Sequence, residues 1–559
     1  MILSLAYKYN SKERVCMKKM LAVALAVMML TLGACSNAPA STEAKEESNT
    51  AAAQSTEEQE TEEKKPEESV TTETKKDGGV FVVPISADIN NFNPVITESK
   101  SVEMVMRAMY DPLFVIDNNE TRYYMAESYN VSEDGLTITV KLKDNMFWHD
   151  GEPINADDLV FDFDFMWNEK LKSATGINGE KINCEKVDDL TVKLTLPQPS
   201  ASYLSTLGNF KMFPEHRYNN GEPFRTTLEN EKGIGSGPYK LVSWTKGSTI
   251  ELERFDEYYR GKPNFDKVIF QVAPEATTQE VAFQKGELGM IEVSDSLKYE
   301  KYKADENCNV YSFPDNRVSY FTFNANSEKM QDIELRKAFT YALDRAALYQ
   351  AAAGDENLAV EHASVYGPQT EGFDENFTSY PHDEAKAKEL FEKLGATNQT
   401  YKLICDKSHL YLEDIAVAVQ SQLAKYGIKV EVTAMDSQGF NNTFFYTTEG
   451  DWDLAVNVYP AKTDPNSIAF MYKKGGFLTK NLFASDEALA LFNEGDATLD
   501  KEKRMEIYKK LQDQIINDYC VYPVLTSRAC IVTPKNIRGV DDIKKIPLFE
   551  DYMKIFMVE

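Results

Sequence analysis

The feature of this sequence that most constrains its fold is a helix followed at once by a glycine and a strand. Apolar residues recur at every fourth position from Ile415 to Leu423, which places them on one face of a helix. Gly427 is suited to end that helix, because glycine adopts the left-handed conformation that closes a helix at little steric cost. Apolar and polar residues then alternate from Ile428 to Val432, as in a half-buried strand. This order is an α–β connection, so this half of the chain is predicted to be α/β.

The first half of the chain is richer in signals for antiparallel strands. Asp134 and the glycine after it predict a turn, and apolar residues alternate with polar ones from Leu136 to Leu142. The same alternation returns from Leu190 to Leu196. Asn155 and Asp332 each precede a helical pattern and are predicted to cap the helices that follow. The folded part is therefore expected to combine hairpins with α/β units.

The amino terminus has the layout of a secretory signal. Two lysines, Lys18 and Lys19, precede an apolar run from Met20 to Leu32 that is too short for a comfortable transmembrane helix. The run ends in Leu-Gly-Ala and then Cys35, an order that looks like a bacterial lipobox. Residues 1–35 are predicted to be a lipoprotein signal peptide whose true start is Met17, and Cys35 would carry a diacylglyceryl group. The alternative is an ordinary signal peptide with a chance cysteine.

The stretch 36–77 is low in complexity and holds twelve acids and five lysines. It has almost no large apolar side chains, so it cannot bury enough surface to offset the entropy lost on ordering. We predict a disordered acidic tether between a lipid anchor and a folded body, 78–559. The body would be extracytoplasmic and lipid-anchored to the outer face of the cell membrane, and so long a tether suits a single-membrane bacterium.

The chain lacks recognisable catalytic and metal-binding patterns. It has no phosphate-binding loop, no metalloprotease helix motif and no C-x-x-C pair among its seven cysteines. Its five histidines are scattered without ligand spacing. The net charge of −28 argues against nucleic acid as a partner, because phosphate binding needs a clustered positive field. The sequence therefore predicts a protein that is not an enzyme, with no metal and no cofactor.

A series of short motifs runs through the body in a fixed order. They are Asn91-Phe92-Asn93-Pro94, Tyr110-Asp111-Pro112-Leu113, Ala126-Glu127-Ser128-Tyr129, Asp134-Gly135-Leu136-Thr137, Phe147-Trp148-His149-Asp150-Gly151-Glu152-Pro153, Ala156-Asp157-Asp158-Leu159, Gly235-Ser236-Gly237-Pro238-Tyr239, Tyr258-Tyr259-Arg260-Gly261-Lys262-Pro263, Gln284-Lys285-Gly286-Glu287, Arg336-Lys337-Ala338-Phe339, Ala342-Leu343-Asp344-Arg345 and Asp464-Pro465. Through these motifs, 78–559 resembles the family 5 solute-binding proteins of ABC importers, the peptide- and nickel-binding group.

The resemblance implies an α/β, two-lobed, periplasmic-binding-protein-like class II fold with an extra subdomain on lobe I. Lobe I would comprise 78–112, 236–325 and 526–559, the extra subdomain 113–235, and lobe II 326–525. The implied function is capture of a short peptide between two hinged lobes and its delivery to an ABC permease complex. Because nothing in the sequence indicates an oligomerisation element, we expect a monomer.

The resemblance also implies where the ligand lies. An extended peptide would add to a strand edge on each lobe, and backbone hydrogen bonds would bind it with little regard to its sequence. The implied ligand-binding residues are Asp88, Ile89 and Asn90 on lobe I, Asn457, Val458, Tyr459 and Asp464 on lobe II, and Phe161 and Phe440 as pocket walls.

One position departs from the family pattern. Many peptide binders of the family place an acid three residues before the aspartate of the Asp-Pro motif, where it pairs with the peptide's ammonium group. Here that position is Ala461. Asp464 or another acid would have to substitute for it. The alternatives are a solute without a free amino terminus, such as a nickel chelate or an oligosaccharide, and a surface sensor built on the same scaffold.

Overall fold

The structure is a computed structural model that describes residues 74–96, 99–117, 120–171, 174–472, 483, 485–542 and 550–559. Its strands, numbered in chain order, are β1 Lys75–Lys76, β2 Val80–Ile85, β3 Phe114–Asp117, β4 Glu120–Tyr123, β5 Ala126–Val131, β6 Thr137–Leu142, β7 Gly176–Ile177, β8 Glu180–Lys181, β9 Asn183–Asp188, β10 Thr191–Thr195, β11 Tyr239–Thr245, β12 Thr249–Arg254, β13 Lys267–Val272, β14 Ile291–Val293, β15 Cys308–Phe323, β16 Ala359–Glu361, β17 Thr400–Asp406, β18 Lys429–Met435, β19 Leu454–Pro460, β20 Val521–Pro534, β21 Ile537–Arg538 and β22 Phe556–Val558.

The helices alternate with these strands, most densely in the second half of the chain. They are α1 Lys100–Met109, α2 Ala156–Asn168, α3 Tyr203–Gly208, α4 Glu215–Tyr218, α5 Ala276–Gln284, α6 Ser296–Lys303, α7 Ile333–Ala342, α8 Arg345–Ala352, α9 Glu384–Lys393, α10 Leu412–Ala424, α11 Ser437–Phe444, α12 Ala469–Tyr472, α13 Asp486–Ala497 and α14 Lys501–Asn517. Short 3-10 helices lie at Leu228–Glu231, Glu328–Gln331, Ala396–Asn398, Pro465–Ile468 and Val540–Asp542.

Three larger sheets organise the chain. One has the order β11-β12-β13-β2, a second β5-β6-β10-β9, and the largest β14-β20-β15-β19-β17-β18 with β16 also paired to β20. A small sheet β1-β22-β21 and the hairpins β3-β4 and β7-β8 complete the described pairing. Strand β17 runs parallel to both of its neighbours, so the α/β prediction for the second half of the chain is confirmed. In the first half β5, β6, β9 and β10 pair antiparallel, while β2 and β13 run parallel.

The local predictions in the first half are confirmed. Strands β5 and β6 form the hairpin around the Asp134 turn, with Val131 opposite Ile138. Strand β10 extends the same sheet, with Leu194 also opposite Ile138. Asn155 caps α2, because its side chain accepts from the Asp157 amide at 2.7 Å. Alternation and capping are short-range effects, which is why the sequence reveals them.

The α–β connection in the second half is also confirmed. Helix α10 buries Ile415, Val419 and Leu423. Gly427 follows with φ of 73°, the left-handed conformation expected where a helix closes. Strand β18 begins two residues later and pairs in parallel with β17.

Ordered structure begins before Gly78. Lys75 and Lys76, which fall in the predicted tether, form β1 and pair antiparallel with Val558 and Met557 of β22. Asp77 lies 2.5 Å from Lys262 Nζ. The two ends of the described chain therefore meet in one small sheet.

Two long antiparallel strands, β15 and β20, connect different hydrophobic cores. Phe313 of β15 packs in a core with Phe81, whereas Phe321 packs in a core with helices α7–α10. The strand register shifts between Pro314 and Val318. At this break burial raises the pKa of Asp315 to about 6, although the neighbouring arginine at position 317 opposes the shift. Both strands thus cross from one core to another, with the irregular residues 315–317 at the crossing.

A single histidine joins two of the sequence motifs. The amide of Gly235 donates to Nδ1 of His149 at 3.1 Å, and Nε2 of the same ring lies 3.0 Å from the Gly237 carbonyl oxygen. An Nδ1 that accepts and an Nε2 that donates describe the neutral imidazole. Burial lowers the pKa of His149 to about 4, so the ring stays neutral near pH 7. The motif around His149 therefore holds the glycine-rich connection in place.

Candidate functional site

A cavity of about 580 Å³ lies between two parts of the molecule that have separate cores. On one side lie Ser202, just before α3, and two residues of α3 itself. Helix α3 packs through Tyr203 and Leu207 into the core of the predicted extra subdomain. On the other side is the end of β19, which packs through Tyr459 into a core of predicted lobe II. The lining residues are Ser202, Ser205, Thr206, Tyr320, Phe445, Asn457, Val458, Tyr459, Pro460, Lys462, Asp464, Asn466, Ser467 and Phe470.

The cavity borders a partly free strand edge. Strand β19 pairs with β15 along its whole length, but β17 covers its other edge only from Leu454 to Val456. In the described part of the chain no strand pairs with that other edge at 457–460. The Val458 amide donates to Oδ1 of the neighbouring Asn457 at 2.8 Å. An extended ligand backbone would fit this edge.

A buried ion pair fixes the segment after β19. Asp464 caps the 3-10 helix Pro465–Ile468 by accepting from the Asn466 amide at 2.8 Å. Its Oδ2 lies 2.8 Å from Nη2 of Arg504 on α14. Burial raises the pKa of Asp464, while Arg504 acts in the opposite direction. The carboxylate is therefore already paired by the protein itself.

Position 461 is an alanine and cannot supply the acid expected there, and the next residue, Lys462, is a cation. Ala461 is buried, and its amide donates to the carbonyl oxygen of Asn316 at the strand crossing at 2.9 Å. Lys462 lines the cavity, and within the described ranges its side chain makes no ion pair. Position 461 thus carries no charge, and the residue beside it is a lysine.

A second cavity of about 480 Å³ adjoins the first and shares Ser205 and Asp464 with it. Apolar side chains, among them Tyr129 and Leu499, form part of its wall. Lys501 also lines it and forms an ion pair with Glu371. The two cavities therefore make one cleft.

Of the nine ligand-binding residues predicted from sequence, the structure brings four together at the cavity. These four are Asn457, Val458, Tyr459 and Asp464. The lobe I group lies elsewhere: Asp88 accepts from Trp244 Nε1 at 3.1 Å and from the Gly247 amide at 2.6 Å, which ties it to the β11–β12 turn. Ile89 is buried in the core around Phe81, and Asn90 is exposed. None of these three lines the cavity.

The two aromatic candidates pack against other aromatic rings. Phe161 stacks on Phe165 with ring centroids 4.9 Å apart, beside the core of the predicted extra subdomain. Phe440 stacks on Phe444 at 5.1 Å and is only 1% exposed. Neither ring lines the cavity, so their role as pocket walls stays a prediction that the described geometry does not support.

Sequence reasoning missed several cavity residues. Lys462 and Asn466 flank the Asp-Pro motif closely, so their proximity to that motif was a usable signal. Ser202, Ser205 and Thr206 come from a different part of the chain and carry no sequence signal, because serine and threonine are common on surfaces.

Cys35, the proposed lipidation site, lies outside the described residues. Within the ranges that the structure describes, no helix combines the length and apolarity needed to cross a bilayer. The same ranges contain no group of three or more histidine, cysteine or acidic residues that could hold a metal ion.

The family model of the bacterial extracellular solute-binding proteins, family 5 (middle region), matches residues 120–477. The chain belongs to this family.

Other family 5 proteins resemble the chain over most of its length. The oligopeptide-binding protein AppA of Bacillus subtilis is 26% identical over 491 residues, which are 83% of this chain and 89% of AppA. The structure of the ABC transporter substrate-binding protein CtaP from Listeria monocytogenes superposes with a TM-score of 0.81 at 31% identity, covering 87% of this chain and 100% of CtaP. A putative peptide-binding protein AppA from Clostridium difficile gives 0.75 at 30% identity, covering 81% and 95%. The two-lobed α/β family 5 fold is thereby confirmed.

Proposed function

We propose that this protein captures short peptides between its two lobes and delivers them to an ABC permease complex. The observation that carries the proposal is the free edge of β19 at 457–460, which borders the cavity. A peptide that adds to this edge is bound mainly through its backbone, so side chains of many kinds are accepted. The names of the two AppA relatives, an oligopeptide-binding and a putative peptide-binding protein, support the same ligand class.

Closure of the lobes would follow from the two crossing strands. We place the hinge at 315–317 of β15 and the facing residues 526–528 of β20, where the strand register is interrupted. On β15 this hinge precedes residue 325, the predicted boundary between lobe I and lobe II. Rotation of a few residues there brings the walls of the cleft together, and a bound ligand shifts the population toward the closed form.

Native mass spectrometry of the mature chain, purified from a heterologous host, tests peptide capture. We expect a series of added masses that correspond to short peptides and that disappear after mild unfolding and refolding. A single added mass that fits a metal chelate or an oligosaccharide would contradict peptide capture. The protein would then be a family member for another solute.

The same proposal includes anchoring of the body to the outer face of the membrane through a lipid on Cys35. The chain would act as a monomer without metal or cofactor, and it would catalyse no reaction. The predicted acidic tether would then link the lipid to the folded body.

Replacing Cys35 with serine is expected to release the protein from the membrane. Serine has no thiol to accept the diacylglyceryl group, so the body should appear in the soluble extracytoplasmic fraction. Cell fractionation and intact-mass measurement would follow the change. Cys16→Ser is the control, because Cys16 precedes the proposed start at Met17. Membrane retention of Cys35→Ser, or release of Cys16→Ser, would contradict the assignment.

A further inference from the structure

The charges around the cavity do not match a ligand's ammonium group. Of the described residues that line the cavity, Asp464 is the one carboxylate, and it is committed to Arg504 at 2.8 Å. Pairing with an ammonium would require Asp464 to give up a buried ion pair, which leaves the guanidinium of Arg504 uncompensated. Position 461 cannot supply a second acid, because the residue there is an alanine.

Among the described residues that line the cavity the cation is Lys462, which is exposed, and the buried carboxylate of Asp496 lies one hydrogen bond behind the wall at Ser202. Lys462 lines the cavity and has no carboxylate partner within the described ranges. Its positive field extends to a second cationic group: Lys211, which is buried, has a pKa lowered first by burial and further by the like charges of Arg107 and Lys462. Glu103 offsets part of this charge, with Oε1 2.9 Å from Lys211 Nζ and 2.9 Å from Arg107 Nε. Glu103 thus pairs with Arg107 and Lys211 and not with Lys462.

The polar groups beside Lys462 suit the rest of a peptide end. The hydroxyl groups of Ser205 and Ser467 line the same cavity and can donate hydrogen bonds, whereas the hydroxyl group of Ser202 already donates to Oδ1 of the buried Asp496 at 2.5 Å. Asn466 is 8% exposed, and its Oδ1 has no hydrogen-bond partner within the described ranges. A buried amide oxygen without a donor is costly, so a ligand N–H placed there would be favourable.

We infer that the cleft recognises the carboxylate end of its ligand through Lys462 and does not require a free ammonium group. The ligand class is thus a short peptide, or a peptide-like acid, that carries an anionic group at this position. An ammonium-to-carboxylate contact, as in many peptide binders, is replaced by a lysine-to-carboxylate contact of opposite polarity. The inference rests on the proposed peptide capture and specifies which end of the peptide is read.

The test uses a pool of tri- to pentapeptides prepared with free ends, with acetylated amino termini, and with amidated carboxyl termini. Binding to the mature chain is measured by native mass spectrometry, and the strongest binders are measured by calorimetry. We expect acetylation to change affinity little and amidation to weaken it by about tenfold or more, the loss expected for one charge-assisted hydrogen bond.

Variants separate the role of Lys462 from a general effect. Lys462→Ala should weaken the binding of peptides with free ends by a similar factor and remove the effect of amidation. Lys462→Arg should retain both the affinity for these peptides and the effect of amidation. Lys285→Gln, at an exposed lysine that caps α5 away from the cavity, is the matched control and should behave as the wild type. Circular dichroism and melting curves would verify that each variant is folded.

The outcomes are distinguishable. Peptides that bind but lose affinity on acetylation, with no effect of amidation, would overturn the inference and leave peptide capture intact. An amidation effect that persists unchanged in Lys462→Ala would overturn the assignment to Lys462. Binding of none of the peptide forms would overturn peptide capture itself.

Discussion

Replacing Arg504 with methionine is expected to lower the free energy of unfolding by about 3–5 kcal/mol, because it leaves a buried carboxylate without its cation. Arg504 is buried and donates to Asp464 through Nη2 and to the Gly495 carbonyl oxygen through Nε at 3.0 Å. Its guanidinium also lies over the Tyr508 ring, 4.9 Å from the centroid. Methionine keeps the apolar stem and a good helix propensity, so the loss reports on the charge.

Denaturant unfolding followed by circular dichroism measures this effect. Lys503→Met is the control, because Lys503 is an exposed neighbour on the same helix, and its change should stay within about 0.5 kcal/mol. Adding Asp464→Asn to Arg504→Met should recover part of the stability, since the unpaired charge is then removed. A loss below about 1 kcal/mol in the single variant would show that the pair is not the buried contact described.

Replacing Gly235 with alanine is expected to destabilise the protein by about 1–3 kcal/mol or more through overpacking. A Cβ atom at this position would lie 2.1 Å from the carbonyl oxygen of Met109, a backbone atom that cannot rotate away. The same oxygen accepts from the Gly237 amide at 2.8 Å, and Gly235 itself is bonded to His149. The added methyl group would therefore disrupt both of these hydrogen bonds at once.

Thermal melting of Gly235→Ala beside Gly439→Ala checks this prediction. Gly439 lies within α11, and the atom nearest to an added Cβ is Asp436 Oδ1 at 3.3 Å, the far end of a side chain. Alanine there should be neutral or stabilise the helix by up to about 1 kcal/mol. Equal melting temperatures for the two variants would contradict the close approach of Met109 to Gly235.

The motifs around His149 and Gly235 show how far sequence reasoning reached. Both stretches were recognisable as motifs, and the turn and cap within them follow from neighbouring residues. No sequence pattern indicates that one imidazole connects them, because their 86-residue separation is bridged only in the folded chain. The glycines are therefore required by a contact between distant parts of the chain, although the glycine-rich motif itself is recognisable in the sequence.

The residues of the candidate site were also predictable only in part. Asn457, Val458 and Tyr459 were implied by the family resemblance through the alignment of its motifs, and the structure places them at the cavity. Phe440 has the same aromatic character as a pocket residue, yet it stacks within a core. Whether an aromatic ring lines a cavity or fills a core depends on which elements pack against it, and no local pattern carries that information.

The sequence by itself determined the α/β pattern, the helix caps and the family, while the secretory signal before Cys35 and the acidic tether stay predictions. Each of these depends on residues a few positions apart or on composition, so the short-range physics of hydrogen bonding and amphipathicity is sufficient. Only the tertiary structure decided that α3 and β19 share one cavity, that Arg504 neutralises Asp464, and that Lys462 is the cation left at the cavity. These facts depend on chain segments that meet from far apart in sequence, where packing, and not local preference, sets which charges face each other.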